Sequence, residues 1–336
     1  MQTITLPVLD AAHCAHAALP AASCQACVKA CPRGAWKLDE SALQFDSPAC
    51  DGCGLCVPSC PERAIHMPLR LEQRQVGESE ALLARCEKSG DEGEAGCIPC
   101  LHRIGVHELL RHWREGRRVW LTRRGACEHC QRGLGGHLAT RIASLNAGLA
   151  ASGQPLIVLR EVSPAMWQKL IDAPRSVEVS RRGFFTALRK RPVMALTNGE
   201  KAEEDDTRPP GALLPEGYEG ILPWHVRIDA LRCVACHACA RVCPHGAIEL
   251  ADGEFPMYRL RHTLCTGCGL CRDACAHAAV KPISWEEPQR MVLRLEMNQC
   301  PSCGQAFQAP AAGARKPVCW LCASARPARP KRQVMS

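Results

Sequence analysis

Residues 233–244 read Cys233-Val-Ala-Cys236-His-Ala-Cys239-Ala-Arg-Val-Cys243-Pro244, and residues 265–275 read Cys265-Thr-Gly-Cys268-Gly-Leu-Cys271-Arg-Asp-Ala-Cys275. Both runs have the spacing C-x2-C-x2-C-x3-C, with Ala276 in the second where Pro244 stands in the first. Soft, deprotonated sulfur suits iron and inorganic sulfide. A tight loop at this spacing turns three thiolates toward three corners of one cube, and the fourth cysteine points toward a neighbouring cluster. The expected ligand sets are therefore Cys233, Cys236, Cys239 and Cys275 for one cluster, and Cys265, Cys268, Cys271 and Cys243 for the other. Gly267 and Gly269 relieve crowding and let backbone N–H groups approach an anionic core. Zinc is the competing reading of these eight cysteines.

An internal repeat carries the same pattern to the other end of the chain. CQACVKACPRGAW (residues 24–36) matches CHACARVCPHGAI (residues 236–248), and CDGCGLCVPSCPERAI from Cys50 matches CTGCGLCRDACAHAAV from Cys265. The better-spaced copy resembles the bacterial two-cluster [4Fe-4S] ferredoxins. That resemblance implies two pseudo-symmetric halves of β-hairpin and helix that pass electrons between two cubanes. In the first copy, Cys50, Cys53, Cys56 and Cys60-Pro61 are complete, but the ferredoxin spacing before Cys24, Cys27 and Cys31-Pro32 falls on Ala21. Leu9-Asp10-Ala11-Ala12-His13 before Cys14 aligns with Ile228-Asp229-Ala230-Leu231-Arg232 before Cys233. Cys14 is then a displaced first ligand, with Ala15 to Ala21 as an insertion whose longer loop costs more entropy to close. His13 or His16 as ligand, or an open iron corner, are the alternatives. The expected sets are Cys14, Cys24, Cys27 and Cys60, and Cys50, Cys53, Cys56 and Cys31.

Two further groups have a different character. Cys97-x2-Cys100 and Cys127-x2-Cys130 form a candidate metal set, binding zinc or a further iron–sulfur cluster, with a redox disulfide as a third reading. Cys86 is the expected spare, and His102 and His129 stand beside the pairs. Near the C-terminus, Cys300-x2-Cys303 and Cys319-x2-Cys322 have the spacing of a four-cysteine zinc site, preceded by a strand at residues 291–297. A single iron fits the same four sulfurs. Hydrophobic periodicity predicts a helix over 104–115, a strand over 118–122, a helix over 133–152 and a strand over 155–160. Ser180-Arg181-Arg182-Gly183-Phe184-Phe185 has the look of a twin-arginine signal, but it lies deep in the chain and no apolar run follows it. A helix start capped by Ser180 is the expected role.

Composition limits the rest. Twenty-five cysteines in 336 residues, an odd total grouped in C-x2-C pairs, point to metal ligands in a reducing compartment rather than disulfides. Aromatic residues at 4% disfavour large aromatic pockets. The formal charge of +8 would be offset by four cubanes at about −2 each. No basic run interleaves with stacking aromatics, so no nucleic-acid partner is expected, and Arg326, Arg329, Lys331 and Arg332 read as a solvated tail. No export signal and no membrane-spanning apolar run are present, which gives the expectation of a cytoplasmic protein with no transmembrane segment. There is no nucleotide-binding glycine motif and no nucleophilic triad, and no catalytic residue is expected.

The expected fold is α+β. Two ferredoxin-like 2[4Fe-4S] modules (1–70 and 218–285) flank a small α/β central domain (80–196), with a linker at 197–217, a zinc-ribbon-like segment at 291–325 and a basic tail at 326–336. The expected function is polyferredoxin-like electron transfer through about four [4Fe-4S] clusters. Redox protein partners or a larger oxidoreductase complex are the expected context, by fold-level analogy. A catalytic or metal-cluster assembly protein, using the Cys14 cluster or the central pairs, is the alternative.

Overall fold

The computed structural model describes residues 4–39, 42–132, 137–173, 208–218, 220–251, 253–289, 292–311 and 318–324. The Ser180–Phe185 stretch, the first part of the expected linker and the basic tail lie outside them. In the N-terminal module, β1 (Val8–Leu9) pairs antiparallel with β4 (Ile65–His66), tying the start of the module to its end. Between them lie α1 (Ala15–Ala18), α2 (Ala26–Ala30), the hairpin of β2 (Trp36–Leu38) and β3 (Leu43–Phe45), and α3 (Cys56–Ser59). The core is small: Trp36 and Ile65 pack with Cys27 and Cys56, so burial and cysteine placement are the same event.

The central region is a five-stranded sheet of β5 (Glu72–Val76), β6 (Ser79–Cys86), β7 (Cys97–Ile98), β8 (Val119–Arg123) and β9 (Val158–Glu161). β6, β8 and β9 run parallel, which requires crossovers, and α4 (Val106–Arg114) and α5 (His137–Ala151) supply them. Both faces of the sheet are covered. Leu82, Ala84 and Trp120 pack with Leu109, Leu110 and Leu145 on one side, and Ala81, Leu83 and Leu121 pack with Trp167 of α6 (Pro164–Asp172) on the other. This is why β6 reads as a nearly unbroken apolar run, Ala81-Leu82-Leu83-Ala84. Ser163 caps α6 by accepting from the Met166 N–H at 3.2 Å, with Pro164 in the first turn.

The end of the expected linker is packed: Leu213, 1% exposed, ends the turn Pro210–Leu213 and sits in the central core. The second module repeats the first. β10 (His225–Ile228) pairs with β13 (Val280–Ile283), enclosing α7 (Ala238–Val242), the hairpin of β11 (Ile248–Ala251) and β12 (Met257–Leu260), and α8 (Leu270–Asp273). β14 (Val292–Gln299) adds to β12, and β15 (Ala306–Pro310) adds to β14, so the C-terminal hairpin extends the module's sheet to four strands. A last helix, α9 (Trp320–Ser324), carries Cys322. Among the described residues no helix is long and apolar enough to cross a membrane.

Candidate metal centres

Cys233, Cys236, Cys239 and Cys275 line one cavity of the second module. The Cys271 thiol feels the neighbouring sulfurs of Cys265, Cys268, Cys239 and Cys243. Backbone amides serve these sulfurs. Ala235 N–H donates to Cys233 Sγ at 3.4 Å, and Ala247 and Ala279 donate to Cys243 and Cys275 at 3.3 Å. The residue three after each last cysteine is left-handed, Gly246 at φ 65° and Ala278 at φ 48°, and this turns the next N–H back toward the sulfur. Gly267 is fixed by both conformation and space: φ is +80°, and a Cβ would lie 2.2 Å from the Trp224 ring.

The first module repeats this local chemistry. Gly52 N–H donates to Cys50 Sγ at 3.4 Å, and Ala35 and Ala64 donate to Cys31 and Cys60 at 3.3 Å. Gly34 and Arg63 take the left-handed positions at φ 62° and 52°. Cys56 lies near the Cys31 and Cys50 sulfurs. Cys14, Cys24, Cys27 and Cys60 line one cavity. Asp10 N–H donates to Ala64 O at 2.7 Å as Asp229 N–H donates to Ala279 O at 2.7 Å. Each of these aspartates also accepts from the N–H two residues on, Ala12 at 3.1 Å and Leu231 at 2.9 Å. Cys14 and Cys233 thus stand at equivalent places. The neighbouring histidines are engaged elsewhere: His13 Nδ1 is 2.7 Å from Asp10, and His16 Nε2 donates to Cys24 O at 2.8 Å.

Burial pushes the Cys27, Cys53, Cys239, Cys265 and Cys268 thiols up to about 12. Such sulfurs are inert to solvent, and a soft metal is what would displace their protons. None of the 25 cysteines is in a disulfide. Soft sulfur donors, cavities between them and N–H groups aimed at the sulfurs together fit cubane clusters.

The two modules touch through their cysteine loops. The insertion after Cys14 forms α1, and Ala15 and Ala22 bury against Leu270, with Cys24 and Cys268 packed alongside. The Ser23 backbone N–H and hydroxyl donate to Asp273 at 2.7 and 3.0 Å. Glu62, two residues after Cys60, accepts from Thr266 Oγ1 at 2.6 Å and from His245 Nε2 at 2.9 Å. Burial alone would raise the Glu62 carboxyl, but the bonds from His245 and Thr266 outweigh it and hold the group below the usual carboxylate range.

The tail and central groups differ in size. The sulfurs of Cys300, Cys303, Cys319 and Cys322 all lie within 4.8 Å of one another, with Cys303 and Cys319 at 3.7 Å. Four sulfurs bonded to one tetrahedral zinc at about 2.3 Å stand roughly 3.8 Å apart, so this group has single-ion dimensions. In the centre, one cavity is lined by Cys86, Cys100, Cys127 and Cys130. Cys97, expected in this set, does not line it, and Cys86, expected as the spare, does. The sheet gives the reason: Arg85 pairs with Cys97 and Cys86 with Ile98, and side chains alternate along a strand, so Cys97 shares a face with Arg85 while Cys86 takes the other. The signal in the sequence was Cys86 closing an apolar strand beside a neighbouring cysteine pair.

Comparison with known proteins agrees with the module geometry. Residues 22–65 and residues 232–279 each match a 4Fe-4S dicluster domain family, the first match starting after Cys14. The chain therefore carries two 4Fe-4S dicluster domains. It is also similar to a subunit of the ion-translocating oxidoreductase complex of Methanosarcina acetivorans, 41% identical over 44 residues, which is 13% of this chain. That stretch spans 17% of the relative's length.

Proposed function

We propose that this chain is an electron relay of the polyferredoxin kind, in which the two modules hold four [4Fe-4S] clusters in one continuous line. Cys233, Cys236, Cys239 and Cys275 hold the first. Cys243, Cys265, Cys268 and Cys271 hold the second, Cys14, Cys24, Cys27 and Cys60 the third, and Cys31, Cys50, Cys53 and Cys56 the fourth. The observation that carries this reading is a succession of small cores that each hold ligands of two neighbouring sets. Cys239 and Cys271 share one core, Cys268 and Cys24 pack against the same apolar cluster where the modules meet, and Cys27 shares a core with Cys56. Each cubane, when bound, takes up and gives back one electron. The chain's own residues hold the clusters, exclude water from them and aim N–H groups at their thiolates, which tunes potential.

The similarity to a component of an ion-translocating oxidoreductase complex supports a place in, or beside, a larger oxidoreductase. Cysteines used as metal ligands rather than paired in disulfides support a reducing, cytoplasmic setting. The four tail cysteines hold one structural zinc. The test is iron and acid-labile sulfide per chain on protein purified without oxygen, with low-temperature EPR before and after dithionite. At least about 16 irons and 16 sulfides, with signals of interacting reduced cubanes, are expected. Little iron with abundant zinc would overturn the relay.

A further inference from the structure

We propose that Cys86, Cys100, Cys127 and Cys130 hold a fifth [4Fe-4S] cluster, placed against Cys53 at the end of the line. The relay reading gives that cluster its role, but the site itself stands on its own geometry.

Size is the first argument. Among the described residues, only the tail group brings three or more metal-ligating atoms within 4.8 Å of one another. The central four are spread more widely than that, as the four module sets are, although they line a common cavity. One zinc would hold its sulfurs roughly 3.8 Å apart. A cube of iron and sulfide stands between its thiolates and keeps them further apart.

The local bonding is also that of the modules. Lys88 N–H donates to Cys86 Sγ at 3.4 Å, the same amide two residues on that serves Cys50 and Cys233. Lys88 and Arg132 line the cavity, and Arg132, 8% exposed, is held in place at 2.9 Å by both Asp51 and Glu87, with Lys88 beside Glu87 at 3.7 Å. His102 also lines the cavity and is 9% exposed. Its Nδ1 accepts from Leu138 N–H, which puts the proton of the neutral ring on Nε2, and Nε2 is buried with no partner among the described residues. A cluster sulfide is a fitting acceptor for that N–H.

Position completes the case. Cys53, Leu55 and Cys100 form one buried contact, and Arg132 bonds to Asp51 between Cys50 and Cys53. The central set is thus the next station after the Cys31, Cys50, Cys53 and Cys56 set.

The test is acid-labile sulfide, iron and zinc on the full chain purified without oxygen, for the wild type, the Cys127→Ser/Cys130→Ser double variant and Cys97→Ser. The wild type is expected to hold about 20 sulfides, the double variant about 16, and Cys97→Ser about 20. About 16 sulfides with two zincs in the wild type would overturn the fifth cluster and leave the relay standing. So would loss of about four sulfides in Cys97→Ser. If the double variant does not fold, the wild-type sulfide and zinc counts decide alone. A wild-type count far below about 16 is a failure of the relay reading, and the central site is then judged by whether the double variant loses about four more.

Discussion

The buried carboxylate of Glu62 in the first module accepts a 2.6 Å hydrogen bond from the hydroxyl of Thr266 in the second, between Cys265 and Cys268. His245 adds a 2.9 Å contact to the same carboxylate. A polar tie at this depth sets how the two modules meet, and it places a negative charge between two cluster sites.

Glu62→Gln keeps the shape and removes the charge. Weakening the two bonds costs about 1–3 kcal/mol of stability, read as an earlier thermal loss of the visible absorbance. With one negative charge fewer beside them, clusters held by Cys24 and Cys268 become easier to reduce. Potentiometric EPR titration is expected to move at least one midpoint to more positive potential, with the metal content unchanged.

Cys14 carries the most specific claim about the first module. Cys14→Ala is expected to lower iron by about one per chain and to produce an oxidised three-iron EPR signal, while His13→Ala and His16→Ala leave iron content unchanged. A three-iron signal already present in the wild type and unaltered by Cys14→Ala would assign an open corner.

Arg63 and Ala278 take a left-handed backbone conformation where the other two repeats have Gly34 and Gly246. The left-handed region costs an L-residue about 1–2 kcal/mol. Ala278→Gly removes that strain, less the extra freedom glycine has when unfolded, and is expected to gain about 0.5–1 kcal/mol, seen as later cluster loss in a thermal scan. Arg63→Gly also loses the 3.1 Å bond between the Arg63 guanidinium and His107 Nε2, and is expected to gain less than Ala278→Gly in the same scan.

The tail group is of single-ion size, so a metal bound there would be separable from the clusters. A strong chelator is expected to remove about one zinc per chain while acid-labile sulfide is unchanged. Cys303→Ser is expected to abolish that zinc. Loss of sulfide in step with the tail metal would contradict a separate site.

Cysteine spacing made both modules legible because three closely spaced ligands and a fourth at fixed offset are a local property of the chain. The same holds for the central strands and helices, whose apolar periods survive in sequence: the helix expected at 104–115 spans Val106–Arg114, and the strand expected at 118–122 spans Val119–Arg123. What was hidden depends on contacts between distant segments. Cys86 lies on β6 and reaches the Cys127 and Cys130 loop only because β6 and β8 pair in parallel. The insertion after Cys14 read as a loop cost, whereas it folds as α1 and forms part of the contact with Leu270. Nor does spacing reveal that β14 joins β12, binding the C-terminal segment to the second module.

Freeze-quench EPR after a substoichiometric pulse of dithionite tests the central claim, that electrons pass along one chain from module to module. The relay predicts a single redistribution among the clusters, at a rate independent of protein concentration. A second phase that slows on dilution would mean that electrons cross between molecules instead, and would contradict the relay.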